Sequence, residues 1–344
     1  MGAVKAIMVT GRDQVRVASV PDPVIQNPGD AIVRVRRAAI CGTDLHLASQ
    51  AGERFIPGHE FAGEVTETGG AVTAVRAGDL VTAADYTACG RCWWCLRGDH
   101  WHCPERRFFG TGTAFGPMLD GAQAELVRVP HADVVLRPVP AGVSLDAAVF
   151  LGDTLATGYA AVQRAGYRPG DTLAVVGGGP VGQLTSLVAQ ACSAGAVVLV
   201  EPVADRREFA AANGSLAADP DSARALVNEL TDGRGADAVV DAVGGAPGLD
   251  TALYLVRAGG TVVSVGVHAE QAWSLPAERA FHDELTVRFA IGDFMRDAQP
   301  LCALLRAGAV DPTAVASERV SLDDVPAAYR RMAQRSTLKA LVLA

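Results

Sequence analysis

Residues 172–201 read TLAVVGGGPVGQLTSLVAQACSAGAVVLVE, and no other stretch restricts the fold as strongly. A short apolar run ends at Val176, a glycine-rich segment follows, a helix can start at Pro180, and a second apolar run closes on Glu201. Runs that are apolar on both faces suit the buried strands of a parallel sheet. The glycines, Pro180, Gln183 and Gln190 break the segment too often for a membrane span. The same texture continues on both sides. Strand-like segments at 172–176, 197–201, 238–243, 261–266 and 285–291 alternate with helical stretches at 180–192, 204–213, 221–230 and 247–257. That alternation predicts a parallel sheet covered by helices on both faces.

Within it, GGGPVG fits G-x-G-x-x-G, with Gly177, Gly179 and Gly182 in the three places and Pro180 and Val181 opening the helix. The first glycine permits a tight turn, the second lets backbone approach a pyrophosphate, and the third brings helix and strand together. The helix N-terminus then favours the negative charge. An ordinary strand-to-helix turn is the alternative, since 37 glycines make chance matches easy. The acid at the end of the next strand argues against chance. Glu201 is expected to accept hydrogen bonds from ribose hydroxyls and to repel a phosphate, favouring NAD over NADP, although Arg206 and Arg207 stand close enough in sequence to attract that phosphate.

Residues 4–150 look different, with short Val-, Ala- and Ile-rich runs punctuated by Gly and Pro, the pattern of an irregular, mainly β domain. After Asp293 come helices near 297–307 and 323–334 and a last strand, KALVLA. This tail is too short to fold alone and is expected to rejoin the first domain, making the parallel-sheet domain an insertion. At 344 residues two ordinary domains fit. A net charge of -8 with scattered basic residues leaves no cationic stripe for nucleic acid. The N-terminus lacks a charged region followed by an apolar one, so a soluble, cytoplasmic protein is expected. Seven cysteines in such a compartment point to metal ligands over disulfides.

Four of them, Cys89, Cys92, Cys95 and Cys103, fall in CGRCWWCLRGDHWHC. The spacing C-x2-C-x2-C-x7-C lets thiolates turn back on one cation, and four sulfurs complete a tetrahedron around zinc. With no vacant position and surplus negative charge, such a site is a poor Lewis acid and is expected to staple a loop. An iron–sulfur cluster or disulfides are the rivals.

Chemistry is better sought at CGTDLH (41–46) and GHE (58–60). Cys41 and His59 offer a thiolate and an imidazole from separate loops, but an open zinc site needs a third protein ligand. The residues nominate Glu60 or a distant acid. Taken singly, a buried cysteine and a locally bonded histidine are the bland alternatives.

CGTDLH, PGHEFAGEV, the four-cysteine lobe, GDTLATGY and VVGGGPVG followed by Glu201 occur in one order along the chain, and together they resemble the zinc-dependent medium-chain dehydrogenase/reductase family of alcohol and polyol dehydrogenases. The resemblance covers essentially the whole chain. It implies an α/β protein in which a GroES-like catalytic domain (1–153 and 294–344, with the structural zinc lobe at 89–103) is interrupted by a Rossmann NAD-binding domain (154–293). It also implies catalytic zinc ligands at Cys41, His59 and Asp153, with Glu60 approaching the metal during ligand exchange. An N-cap role is the alternative for Asp153.

By the same resemblance Asp44 orients a ligand histidine, and Thr43 and His46 form a proton relay. Thr157, Val265 and Val267 line the nicotinamide, and Lys339 meets the pyrophosphate. The implied cofactors are one catalytic and one structural zinc per subunit, with NAD. The implied reaction is reversible oxidation of a secondary, cyclic or polyol alcohol to a ketone or aldehyde. Family members form homodimers or homotetramers, commonly through the edge strand near 285–291. A zinc-free enone or quinone reductase of the same superfamily, and a non-catalytic nucleotide-binding scaffold, are the competing readings.

Overall fold

The computed structural model describes residues 2–344. Contacts divide the chain into two units, one formed by the residues up to Ala156 together with Asp293–Ala344, the other by Thr157–Gly292.

The first unit carries a seven-stranded sheet. Strand Ala31–Ala39 lies at its heart, paired antiparallel with Glu60–Thr68, with Leu126–Val129 and with the last strand, Ala340–Leu343. That last strand also pairs in parallel with Glu318–Ser321. Sequence from both sides of the second unit thus builds one sheet, because Leu341 and Val342 are apolar and wholly buried while their amides complete the ladder. A two-stranded ribbon, Ala3–Val9 with Val15–Pro21, is a separate sheet in this unit.

The second unit holds a six-stranded parallel sheet. Its spatial order is Leu216–Ala218, Ala196–Val200, Thr172–Val176, Ala236–Asp241, Val256–Ser264, Thr286–Phe289. Strand Thr172–Val176 is buried at all five positions, as the apolar run that follows Thr172 requires. Elements outside the expected strands and helices include the three-residue strand Leu216–Ala218 and helices Thr154–Ala165 and Ala277–His282. The helix expected over 247–257 runs Gly245–Leu255, and Val256 already begins the next strand. Among the described residues no helix is long and apolar enough to cross a membrane.

Candidate metal centres and nucleotide loop

Cys41 stands at the N-cap of helix Gly42–Gln50, which follows directly on the central strand of the first sheet. Asp44, in the first turn, folds back so that its Oδ2 accepts from the Cys41 amide at 2.9 Å, the reciprocal contact of a capping box. Its Oδ1 lies 3.3 Å from His59 Nδ1. Gln123 Nε2 donates to Asp44 Oδ2 at 3.0 Å, and Tyr329 donates in turn to Gln123 Oε1 at 2.9 Å. Asp44 is fully buried, and this chain of contacts fixes it against His59. A carboxylate at Nδ1 keeps the proton on that nitrogen and leaves Nε2 free for a metal.

Asp153 faces both Cys41 and His59. Its Oδ2 is 3.4 Å from Cys41 Sγ and 3.3 Å from His59 Nε2. Zinc bonds of about 2.3 Å to sulfur and about 2.1 Å to nitrogen and oxygen, set at tetrahedral angles, would hold such donor pairs about 3.4–3.6 Å apart. One donor atom each from Cys41, His59, Glu60 and Asp153 lie within 4.8 Å of one another. Electrostatics agree with the distances. Burial opposes a charge on His59, but Asp44 and Cys41 outweigh it and hold the imidazole well above its usual value. Burial and the nearby Asp153 push the Cys41 thiol up. Burial would raise Asp153 too, yet hydrogen bonding to His59 and its charge bring the carboxyl down to about 2. The cluster holds more negative donors than its protons balance comfortably, and a divalent cation fits that deficit.

Glu60, also fully buried, is held differently. Thr154 donates to its Oε2 at 2.8 Å, and the Lys339 ammonium makes a close ion pair with its Oε1 while reaching Thr154 Oγ1 at 3.2 Å. Both carboxylate oxygens are therefore engaged, whereas Asp153 is the acid that touches both Cys41 and His59. Lys339, expected at a pyrophosphate, is instead 1% exposed in the first unit with its charge spent on Glu60. Thr43 and His46 sit one turn apart on the helix opened by Cys41, with His46 on its exposed side.

In the lobe, Cys92 Sγ is 3.5 Å and Cys89 Sγ 4.0 Å from Cys95 Sγ. A disulfide would need about 2.05 Å, whereas four sulfurs around zinc lie about 3.8 Å apart. Cys103 Sγ completes the group and accepts from the Cys89 amide at 3.3 Å. His100, inside the lobe, donates its backbone amide to Asp293 at 3.2 Å and sets Nδ1 3.0 Å from the same carboxylate, which also caps helix Phe294–Arg306.

In the second unit the glycine loop stands where the sequence placed it. A Cβ on Gly182 would lie 1.8 Å from the Gly177 carbonyl oxygen, so only glycine lets the helix pack so tightly on the turn. Gly179 caps helix Pro180–Ala191, has Pro180 and Val181 as its first turn, and faces open space. Glu201 Oε2 accepts from the Gly178 amide at 2.7 Å and Oε1 from Val203 at 3.0 Å, with Arg206 3.9 Å away. Val265 and Val267 follow strand Val256–Ser264, Val267 being half exposed, and Thr157 lies on helix Thr154–Ala165.

Comparison with known proteins agrees with both units. Residues 27–140 match the alcohol dehydrogenase GroES-like domain and residues 180–306 the zinc-binding dehydrogenase domain. A probable zinc-binding alcohol dehydrogenase of Mycobacterium tuberculosis is 36% identical over 335 residues, 96% of this chain and 86% of the relative. Alcohol dehydrogenase TADH from Thermus sp. ATN1 superposes with a TM-score of 0.94 at 34% identity, over 98% of this chain and 99% of its own. A putative zinc-binding dehydrogenase from Sinorhizobium meliloti 1021, solved with NADP, gives a TM-score of 0.86 at 29% identity over 100% of both chains. The chain, a GroES-like domain joined to a Rossmann-type parallel sheet, belongs to the zinc-type alcohol dehydrogenases of the medium-chain dehydrogenase/reductase family.

Proposed function

We propose that this oxidoreductase catalyses the reversible, NAD-linked oxidation of a secondary, cyclic or polyol alcohol to the ketone or aldehyde, at a zinc ion held by Cys41, His59 and Asp153. The observation that carries this reading is the position of Asp153 Oδ2, 3.4 Å from Cys41 Sγ and 3.3 Å from His59 Nε2. One thiolate, one neutral imidazole and one carboxylate balance a doubly charged ion and leave a coordination position for substrate. The ion would supply Lewis-acid chemistry at the alcohol oxygen, lowering its pKa towards neutrality, and the dinucleotide would supply the hydride acceptor.

The chain's own residues do the rest. Asp44 keeps His59 in the tautomer that presents Nε2. Thr43 can accept the substrate hydroxyl proton while donating its own, and exposed His46 can pass a proton on to water. Glu60, neutralised by Lys339, stands beside the three ligands as the acid that can exchange onto the metal. In the second unit the Gly177–Gly182 loop takes the pyrophosphate at the helix N-terminus. Glu201, fixed by two backbone amides, repels a 2′-phosphate and so favours NAD, with Arg206 tempering that preference. A secondary or polyol substrate rests on the acidic third ligand and on likeness to the family.

The test is metal content together with NAD reduction over a panel of alcohols for the wild type, Cys41→Ala and Asp153→Ala. Each variant is expected to lose one zinc and nearly all turnover. Full turnover in both would reject the ligand set.

A further inference from the structure

Three loops meet at the C-terminal ends of strands Thr172–Val176, Ala236–Asp241 and Val256–Ser264, the end of a parallel sheet at which ligands bind. A Cβ on Gly177 would lie 2.7 Å from Val243 Cγ2, and one on Gly266 would lie 2.1 Å from the Gly244 nitrogen, so the glycine loop touches the second loop and the second touches the third. Hydrogen bonds then tie the second loop to the third. Asp241, fully buried, accepts at Oδ1 from the amides of Val243 and Gly244 at 2.9 and 3.0 Å. Ser264 Oγ donates to Asp241 Oδ2 at 2.7 Å, His268 Nε2 lies 2.8 Å from Ser264 Oγ, and the Gly245 amide donates to His268 Nδ1 at 3.1 Å.

Proton positions follow by elimination. The Gly245 amide can only donate, so Nδ1 carries no proton, and a neutral ring then carries it on Nε2. Nε2–H donates to Ser264 Oγ, whose own proton goes to Asp241. Both ring nitrogens are thus used inside the protein. The Phe289 ring meets the imidazole in an edge contact, with centroids 5.3 Å apart.

We propose that His268, in its neutral form, is a positioning residue for the dinucleotide, a latch holding the Gly244–Gly245 turn against the Val265–Val267 segment beside the glycine loop. This rests on the reading that the second unit binds a dinucleotide. Gly244 and Gly245 have φ of 82° and 71°, which glycine adopts without strain but does not prefer, so the bonds to Asp241 and His268 select this turn among the conformations open to it. Charges around the ring are few. Strand Ala236–Asp241 contributes Asp241, reached through Ser264, and the ring's own loop contributes Glu270, whose carboxylate approaches Gly245. The turn before helix Gly245–Leu255 carries none, and strand Thr286–Phe289 presents apolar Phe289.

The experiment is calorimetric titration of NAD and of NADP into the metal-loaded full chain, compared for the wild type, His268→Ala and His268→Asn. Loss of the bond in His268→Ala is expected to weaken dinucleotide affinity about three- to tenfold, the worth of one hydrogen bond. His268→Asn, whose amide oxygen can take the Gly245 N–H, should recover most of the affinity, with zinc content unchanged throughout. Wild-type affinity in His268→Ala would overturn the latch alone. A wild type that binds neither dinucleotide would overturn the nucleotide reading and the latch together. Amide hydrogen exchange gives a ligand-free check: Gly245 should be protected in the wild type and not in His268→Ala, and an unprotected wild-type Gly245 overturns the latch by itself.

Discussion

The two donor clusters of the first unit are built on opposite plans. The lobe draws four like donors from fifteen consecutive residues, and a loop of that length can close on a cation with little help from the rest of the fold. The Cys41 cluster draws unlike donors from a helix cap, a strand edge and a residue over a hundred positions away. Around it stand Asp44 with Gln123 behind it, and Glu60 with Lys339 and Thr154. Four identical thiolates saturate an ion and leave it inert. A mixed set with a surrounding charge network can hold an ion and keep it reactive. On the proposed reading, the difference teaches that a site for chemistry draws on the whole fold, whereas a staple draws only on cysteine.

The sharpest way to break this contrast is a crossed pair of variants. Asp153→Ala should lower turnover about a thousand-fold or more, several kcal/mol of lost transition-state stabilisation, while the lobe keeps its metal. Cys95→Ser should do the reverse, releasing lobe metal and lowering the melting temperature while the Cys41 cluster keeps its ion. Parallel measurement of metal stoichiometry, Tm and kcat reads both. Equal loss of both metals in both variants would show that the clusters are not separable.

Lys339→Met comes next. It leaves the buried Glu60 carboxylate without its countercharge, which should cost about 3–5 kcal/mol in urea unfolding. Lys339→Met with Glu60→Gln should recover much of that, and a double variant as unstable as the single one would deny the pairing. Cys95 is one of four like donors and not half of an ion pair, so no second substitution should rescue Cys95→Ser.

Asp44→Asn, which can keep an oxygen towards the Cys41 amide and Gln123 while losing the carboxylate beside His59, should weaken zinc affinity or activity about 10- to 100-fold in competition with a chelator. Unchanged affinity would remove Asp44 from the design. The smallest effect concerns protons. In the metal-free protein Cys41 and His59 both lie above their ordinary values, so both retain protons at neutral pH. Filling this site should therefore release about two protons, measured by titration in weak buffer, and affinity should fall as pH falls. Asp153, brought down to about 2, contributes none.

The same contrast explains what was legible in the sequence. The lobe, the glycine loop and the positions of the longer parallel strands are written in contiguous residues, and periodicity and spacing reveal them. Strand Leu216–Ala218 escapes because three residues at a sheet edge carry no period. Cys41 and His59 are visible as candidate donors by residue type, though each alone also fits a structural role. Asp153 came only through likeness to a family, since nothing local distinguishes it from a helix cap. The Lys339–Glu60 pair joins positions 279 residues apart and leaves no local trace. His268 escaped for another reason: its partners at Ser264, Asp241 and Gly245 meet only once two parallel strands lie side by side.

The C-terminal strand has a consequence for biogenesis. Residues 157–292 form a contiguous unit that leaves the ribosome whole, but the first sheet cannot close until Ala340–Leu343 arrives to lie against Ala31–Ala39. Until then, Glu60 waits for Lys339, its ion-pair partner. Strand Ala31–Ala39 is therefore made before residues 157–292 and completed only after them, and a nascent chain must shelter that unpaired strand edge while the whole intervening unit is synthesised.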